Sequence, residues 1–167
     1  MEKMTEANAQ AAFAGESQAH MRYLNFAERA EKEGYPNVAR LFQAASFAEQ
    51  IHASNHLRGL EGIQGTVTNL DAAIGGETFE VEQMYPAYKV VAEAQGEKKA
   101  LRYMDWAWEA EKVHAKFYTE AKQSVEASKD IAAQDIWVCL NCGFTMEGEP
   151  PARCPVCNTP KDRFRKF

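Results

Sequence analysis

The first 138 of the 167 residues contain no cysteine, and that absence makes the first division in the chain. No apolar run approaches the ~18 residues of a membrane span, which excludes an ordinary transmembrane helix. The opening Met-Glu-Lys-Met-Thr-Glu lacks the apolar stretch of a secretory signal, so the expected localisation is cytoplasmic. β-Branched residues are sparse over 5–126, where Ala, Glu, Lys and Gln abound, which argues for helix there. Basic charge is also short: residues 1–135 hold 14 Lys and Arg against 21 Asp and Glu, and residues 136–167 hold 5 against 3. A basic face for nucleic acid is excluded, while the acidic surplus of the long part needs a reason. With 46% hydrophobic and 11% aromatic residues the chain can build a core, so wholesale disorder is excluded too.

What is present begins with the cysteines. They stand as Cys139-Leu-Asn-Cys142 and Cys154-Pro-Val-Cys157, with 11 residues between the pairs. In a reducing compartment two Cys-x-x-Cys turns at this spacing read as one tetrahedral four-sulfur metal site. Gly143 and Pro155 follow the second and third cysteines and suit the tight turns such a site needs. Both zinc and iron accept this set, and spacing alone favours zinc as the commoner occupant. A polar, weakly periodic stretch over 124–135 places a boundary near residue 134. The segment after it is too small to fold on an apolar core, so the metal is its core.

The periodicity over 5–126 predicts four helices: A over 5–33, stopped by Gly34; B from Pro36 to about residue 61; C from residue 69 or 76 to about 95; and D over 97–126. Pro86 inside helix C predicts a kink or a restart. The A–B and C–D links are short, so each pair is an antiparallel hairpin, and the link over 62–76 is long enough to cross a bundle. The two pairs align at an offset of 62 residues. Tyr23 matches Tyr85, Ala30-Glu31 matches Ala92-Glu93, Gly34 matches Gly96, Arg40 matches Arg102, and Ala48-Glu49 matches Ala110-Glu111. Two related hairpins in tandem are the expected signature of a mainly α, four-helix bundle.

The repeat carries the chemistry. Glu-x-x-His occurs as Glu49-Gln-Ile-His52 and as Glu111-Lys-Val-His114, at the repeat offset. Residues i and i+3 share a helix face, so each pair can present a carboxylate and an imidazole to one point. The surrounding positions are apolar or small, where an uncompensated carboxylate costs several kcal/mol and a metal ion would compensate it. Helix A offers Glu16 in its apolar stripe, and helix C offers Glu77 and Glu80 around the matching position, Thr78. One acid from A, one or two from C and Glu-x-x-His from B and D is the arrangement of di-iron and di-manganese carboxylate bundles. His20 and His56 lack histidine counterparts in the repeat and are expected to be satisfied or exposed histidines. Tyr23 and Tyr85 are expected as core tyrosines near the site, and the six methionines as gap-fillers.

These pieces together resemble the rubrerythrin family across nearly the whole chain. The resemblance is carried by Phe-Ala-Gly-Glu-Ser-Gln at 13–18, Glu49-x-x-His52, Glu77-x-x-Glu80, Met84-Tyr85-Pro86, Glu111-x-x-His114 and the two Cys-x-x-Cys turns. It implies a ferritin-like di-iron four-helix bundle over 1–133 and a rubredoxin-like β module over 134–167. Glu16, Glu49, His52, Glu77, Glu80, Glu111 and His114 would ligate two irons, with Glu49 and Glu111 bridging. Glu80 and His52 would fall where the family exchanges ligands with redox state. Cys139, Cys142, Cys154 and Cys157 would hold a single iron, replacing the zinc that spacing favours. The implied activity is reduction of hydrogen peroxide to water, in oxidative-stress defence, with Glu16, Glu49, His52, Glu80 and Glu111 as the catalytic set. Electrons would arrive singly through the thiolate iron from an external donor protein, a reductase or a rubredoxin. The implied assembly is a homodimer or higher homo-oligomer, head to tail in the family and with swapped helices in some members. No nucleic-acid or membrane partner is expected. The rival readings are a ferroxidase or iron-handling ferritin-like protein and a non-enzymatic zinc-ribbon metal buffer. One departure from the family pattern is Asn158, which stands where rubredoxin-like modules usually carry glycine; Asn is the next best residue for φ > 0.

Overall fold

Each helical hairpin turns on a glycine. In the computed structural model, which describes all 167 residues, α1 (Lys3–Lys32) ends where Gly34 takes φ +82°, and α2 (Pro36–Gly59) begins on a proline. That order matches the asymmetry of helix ends, since glycine relieves the left-handed exit and proline is preset for the first turn. The third helix is interrupted: α3 (Thr66–Phe79) passes through a π-helical turn over Glu80–Met84 into α4 (Tyr85–Ala94). Gly96, at φ +71°, then turns the chain into α5 (Lys98–Glu126). The two turns are the same turn. The Tyr35 N–H donates to the Ala30 carbonyl and the Glu97 N–H to the Ala92 carbonyl, both at 2.9 Å, 62 residues apart. The sequence repeat is therefore a repeat of backbone hydrogen bonds.

The break expected at Pro86 is a restart. The wide turn over Glu80–Met84 ends where α4 takes up Pro86 in its first positions, where the missing N–H costs least. The expected start of the third helix, however, is wrong. It begins at Thr66, so only Leu60–Gly65 separates it from α2, not a long crossing segment. Gly75-Gly76 suggested a late start, yet nothing lies within 4 Å of a Cβ at either position. They are glycines tolerated inside a helix, at about 1 kcal/mol each, because α3 packs along α5, with Lys122 Nζ 2.6 Å from Asp71 Oδ1.

The chain divides into two compact units, Met1–Gln64 and Gly65–Phe167. In the first, α1 and α2 meet through small residues: Ala19, Ala27, Ala30, Ala39, Ser46 and Ala53 are its buried positions. Phe26 and Phe42 meet edge to face at 5.6 Å, with Tyr23 beside both. In the second unit, Ala92 and Ala110 are the buried helical positions, and the Trp108 indole N–H donates to the Val81 carbonyl at 2.8 Å. The ammonium groups of Lys89 and Lys112 lie 3.8 and 3.4 Å from the centroid of the Trp108 ring.

After α5 comes a three-stranded antiparallel sheet in the order β2-β1-β3, built from β1 (Ile136–Cys139), β2 (Thr145–Glu147) and β3 (Phe164–Lys166). Its core is Cys139, Cys154 and Phe164, with Trp137, Phe144, Met146 and Val156 packed against them. The fold is thus mainly helical, with the four helices of a ferritin-like fold and a small sheet closed around its cysteines. No helix is long and apolar enough to cross a membrane.

Candidate metal centres

The four cysteines converge. Their Sγ atoms all lie within 4.8 Å of one another, with Cys139–Cys157 and Cys142–Cys154 at 3.6 Å. A metal with bonds of ~2.3 Å to four tetrahedral thiolates needs sulfurs about 3.8 Å apart, so the set fits such an ion. Two matched turns make it. The Gly143 N–H donates to the Cys139 carbonyl and the Asn158 N–H to the Cys154 carbonyl, both at 2.9 Å, with Gly143 at φ +79° and Asn158 at φ +63°. Asn158 takes the left-handed conformation its position requires. Burial pushes the thiols of Cys142 and Cys154 above their ordinary value. Burial pushes Cys157 up as well, but hydrogen bonding with Asn141 and Thr159 outweighs it and holds that thiol at about 6.

The carboxylates and histidines gather in two groups of three. Glu16 on α1 joins Glu49 and His52 on α2; Glu77 on α3 joins Glu111 and His114 on α5. Within each group the candidate ligand atoms lie within 4.8 Å of one another. The i, i+3 spacing works as the helix geometry requires: His52 Nδ1 is 2.8 Å from Glu49 Oε2, and His114 Nδ1 is 2.6 Å from Glu111 Oε2. Oxygen and imidazole donors suit a hard to borderline divalent ion, so these groups fit metal ligation where the cysteines fit a softer site.

Their electrostatics differ between the units. Hydrogen bonding to His52, and then to Glu16, holds Glu49 below its ordinary value. In the second unit burial, reinforced by the Glu111 charge, raises Glu77 to about 7, and the same two causes raise Glu80. Hydrogen bonding to His114 holds Glu111 low, and hydrogen bonding to Glu111 holds His114 high. Tyr85 is raised by burial and by Glu80, Glu111 and Glu77, which puts it beside the site as expected. Glu80 lies in the π turn, within electrostatic reach of Glu111 and His114 but outside the group of three.

Two polar links escaped the sequence reading. His20 is not in either group: its Nδ1 lies 2.9 Å from the carbonyl of the buried Ser46, whose hydroxyl donates back to the His20 carbonyl at 2.9 Å. The second link joins the metal-binding regions. The Thr145 hydroxyl donates to the Gly143 carbonyl at 3.1 Å, which leaves its oxygen to accept from His114 Nε2, 2.8 Å away. Thr145 is buried, sits on β2 and is three residues beyond Cys142. Nothing in its spacing marks it, because the contact crosses 31 positions of sequence.

The fold and these groups define a class first: a ferritin-like helical protein with carboxylate–histidine metal groups and an appended four-cysteine module. The family model described as rubrerythrin matches residues 8–122, and that described as rubrerythrin, rubredoxin-like domain, matches residues 137–165. The chain is 42% identical to rubrerythrin-2 of Clostridium acetobutylicum over a 178-residue alignment that covers 98% of this chain and 97% of that protein. It is 34% identical to nigerythrin of Nitratidesulfovibrio vulgaris, over 96% of this chain and 85% of that one. A solved structure of the mixed-valence state of nigerythrin aligns with a TM-score of 0.56 at 34% identity, covering 98% and 86% of the two chains. The chain belongs to the rubrerythrin family.

Proposed function

We propose that the protein is a non-haem di-iron peroxidase that reduces hydrogen peroxide to water in oxidative-stress defence, and that residues 1–133 carry the di-iron part and residues 134–167 the iron-tetrathiolate part. The observation that carries this reading is the pairing, in one chain, of hard carboxylate–histidine groups with a soft four-cysteine group. A storage or ferroxidase protein needs only the first, and a zinc ribbon needs only the second. Iron is supported at both by a relative: a solved nigerythrin structure at 33% identity is described as fully reduced and all ferrous.

When bound, two ferrous ions supply the two electrons that, with two protons, convert one peroxide to two waters. The ligands assigned are Glu16, Glu49, His52, Glu77, Glu80, Glu111 and His114 for the pair, and Cys139, Cys142, Cys154 and Cys157 for the single iron. The chain's own part is to hold charge and protons. Five carboxylates balance two divalent ions and a rise in their charge. Glu77 and Tyr85 sit where burial favours their protonated forms. The Thr145 oxygen accepts from His114 Nε2, leaving Nδ1 to face the ligand group, the orienting role usual for the outer nitrogen of a metal-binding histidine. An external one-electron donor protein would reload the site through the thiolate iron, and a homodimer is the expected assembly.

The test is metal content with turnover. Protein isolated from iron-replete cells is expected to carry about three iron atoms per chain, two on carboxylates and one on thiolates. Cys154→Ala is expected to lose the thiolate colour and sustained peroxide turnover while keeping one round of reduction by the prereduced protein. Turnover indifferent to that change would remove the relay, and a colourless thiolate site loaded with zinc would favour the metal-buffer reading.

A further inference from the structure

Neither helical half buries a large side chain of its own. In Met1–Gln64 the buried positions are alanines and Ser46, while Leu41 and Phe47 are 68% and 62% exposed. In α3–α5 the buried positions are Ala92 and Ala110, and Phe79, Tyr88 and Tyr103 are about half exposed. Exposure recurs at repeat-related places, Phe26 with Tyr88 and Leu41 with Tyr103. Helices joined through alanines bury too little apolar surface to stand alone, at about 25 cal/mol per Å². The ligands are halved in the same way, two carboxylates and one imidazole on each hairpin. Each half therefore calls for the other kind of half.

The connector decides where that half comes from. In a ferritin-like bundle the second and third helices run in the same direction, and one long crossover joins them. From the level of Glu49 and His52 to the end of α2 at Gly59 is about 13 Å, and from Thr66 to Glu77 is about 17 Å, at 1.5 Å per residue. A return along the bundle must cover about 30 Å plus the spacing between helices, ~10 Å. The six residues Leu60–Gly65, seven Cα steps from Gly59 to Thr66, reach about 25 Å at full stretch. They are not fully stretched either, because the Leu60 N–H donates to the His56 carbonyl and the Gly62 N–H to the Leu57 carbonyl, both at 2.9 Å, with Glu61 at φ +54°. One chain cannot place both its hairpins in one such bundle. A second copy carries the missing half with no connector to span.

We infer that the protein is a hairpin-exchanged dimer, in which residues 1–64 of one copy complete residues 65–126 of the other. Each carboxylate centre then takes Glu16, Glu49 and His52 from one chain and Glu77, Glu80, Glu111 and His114 from its partner. The ligand assignment rests on the di-iron reading above; the exchange itself rests on the connector and the uncovered faces.

Two damaged chains test it. One carries Glu16→Ala with Glu49→Ala, the other Glu111→Ala with His114→Ala, co-expressed under different affinity tags so that the mixed pair is isolated. Exchange puts both lesions into one centre and leaves the other whole, so the mixed pair is expected to hold about half the wild-type carboxylate iron per dimer. Each homodimer is expected to hold almost none. A mixed pair no richer in iron than the two homodimers, or a wild-type monomer with loaded carboxylates, overturns the exchange. Failure of the di-iron reading appears separately, as a wild-type dimer with iron on thiolates only. In that event urea unfolding of the wild type still decides: a midpoint that rises with protein concentration and passes through no folded monomer supports exchange, and a concentration-independent midpoint overturns it.

Discussion

The two Glu-x-x-His hairpins share a motif, a turn and a 62-residue offset, yet they present their ligands differently. On the first, the His52 side chain is 52% exposed and Glu49 answers to Glu16 and His52 alone. On the second, His114 is 27% exposed, and Glu77, Glu80, Glu111, Tyr85 and Thr145 all act on one another around it. The π turn that brings Glu80 in has no counterpart on α1, which runs unbroken through the matching stretch. A duplicated motif thus fixes which atoms can meet, while neighbours fix how tightly they are held. The second half is the prepared one; the first completes it.

The largest effect should come from the ligands themselves. Glu111→Ala and Glu49→Ala are each expected to lower peroxide turnover at least about 100-fold, the upper end of what even an outer partner of a metal ligand costs. Loss of carboxylate iron should accompany both, measured by metal analysis and turnover. An effect confined to one hairpin would break the equivalence of the two groups.

Next comes Thr145, which only the second hairpin engages. Thr145→Val keeps the shape but removes the acceptor for His114 Nε2, and is expected to cost about 10–100-fold in metal affinity or turnover. Thr145→Ser should restore most of it. The carboxylate-site spectrum should change with the valine and recover with the serine, an outcome that a merely structural role would not produce. Equal loss in both variants would end that role.

The electrostatic contrast sets a pH dependence for the metal-free protein. Burial first, and then Glu111, keeps Glu77 protonated up to about 7 in the folded chain against 4.5 for the free side chain, and His114 also holds its proton more tightly when folded. The folded state then binds more protons than the unfolded one, so stability falls as pH rises from about 4.5 through 7. Glu49 and Glu111 are held low and act the other way, losing their contribution only as pH falls through their folded values. Urea unfolding of chelated protein should lose about 1–2 kcal/mol between roughly pH 5 and pH 8, and Glu77→Gln should flatten that slope. Stability that rises over the range would contradict the assignment.

The smallest effect should be a symmetric one. Gly34 and Gly96 take φ +82° and +71° with open space around each, so Gly34→Ala and Gly96→Ala should each cost about 1 kcal/mol from backbone strain alone. Matching losses in chemical denaturation would show that the hairpins diverge in their sites and not in their turns.

Much of this was legible in order of sequence. Local rules placed Gly34, Pro36, Gly96, the Pro86 restart and both Cys-x-x-Cys turns, because each depends on the conformations of a few neighbouring residues. The repeat found Glu49, His52, Glu111 and His114 because i, i+3 geometry holds in any helix. The start of the third helix was misread for the converse reason: Gly75-Gly76 looks like a break locally, and packing along α5 overrides it. Thr145 and Ser46 were invisible because a single hydroxyl leaves no periodic trace.

By itself, then, the order of residues determined the elements, the repeat, the family and the ligand types, all consequences of local geometry and side-chain chemistry. Tertiary structure alone decided three things. It shortened the link between α2 and α3 to six residues, laid a threonine of the four-cysteine module against His114, and left alanines as the hairpins' own contacts with the larger side chains uncovered. Those depend on what meets across tens of residues, where contact energy between distant segments outweighs local preference.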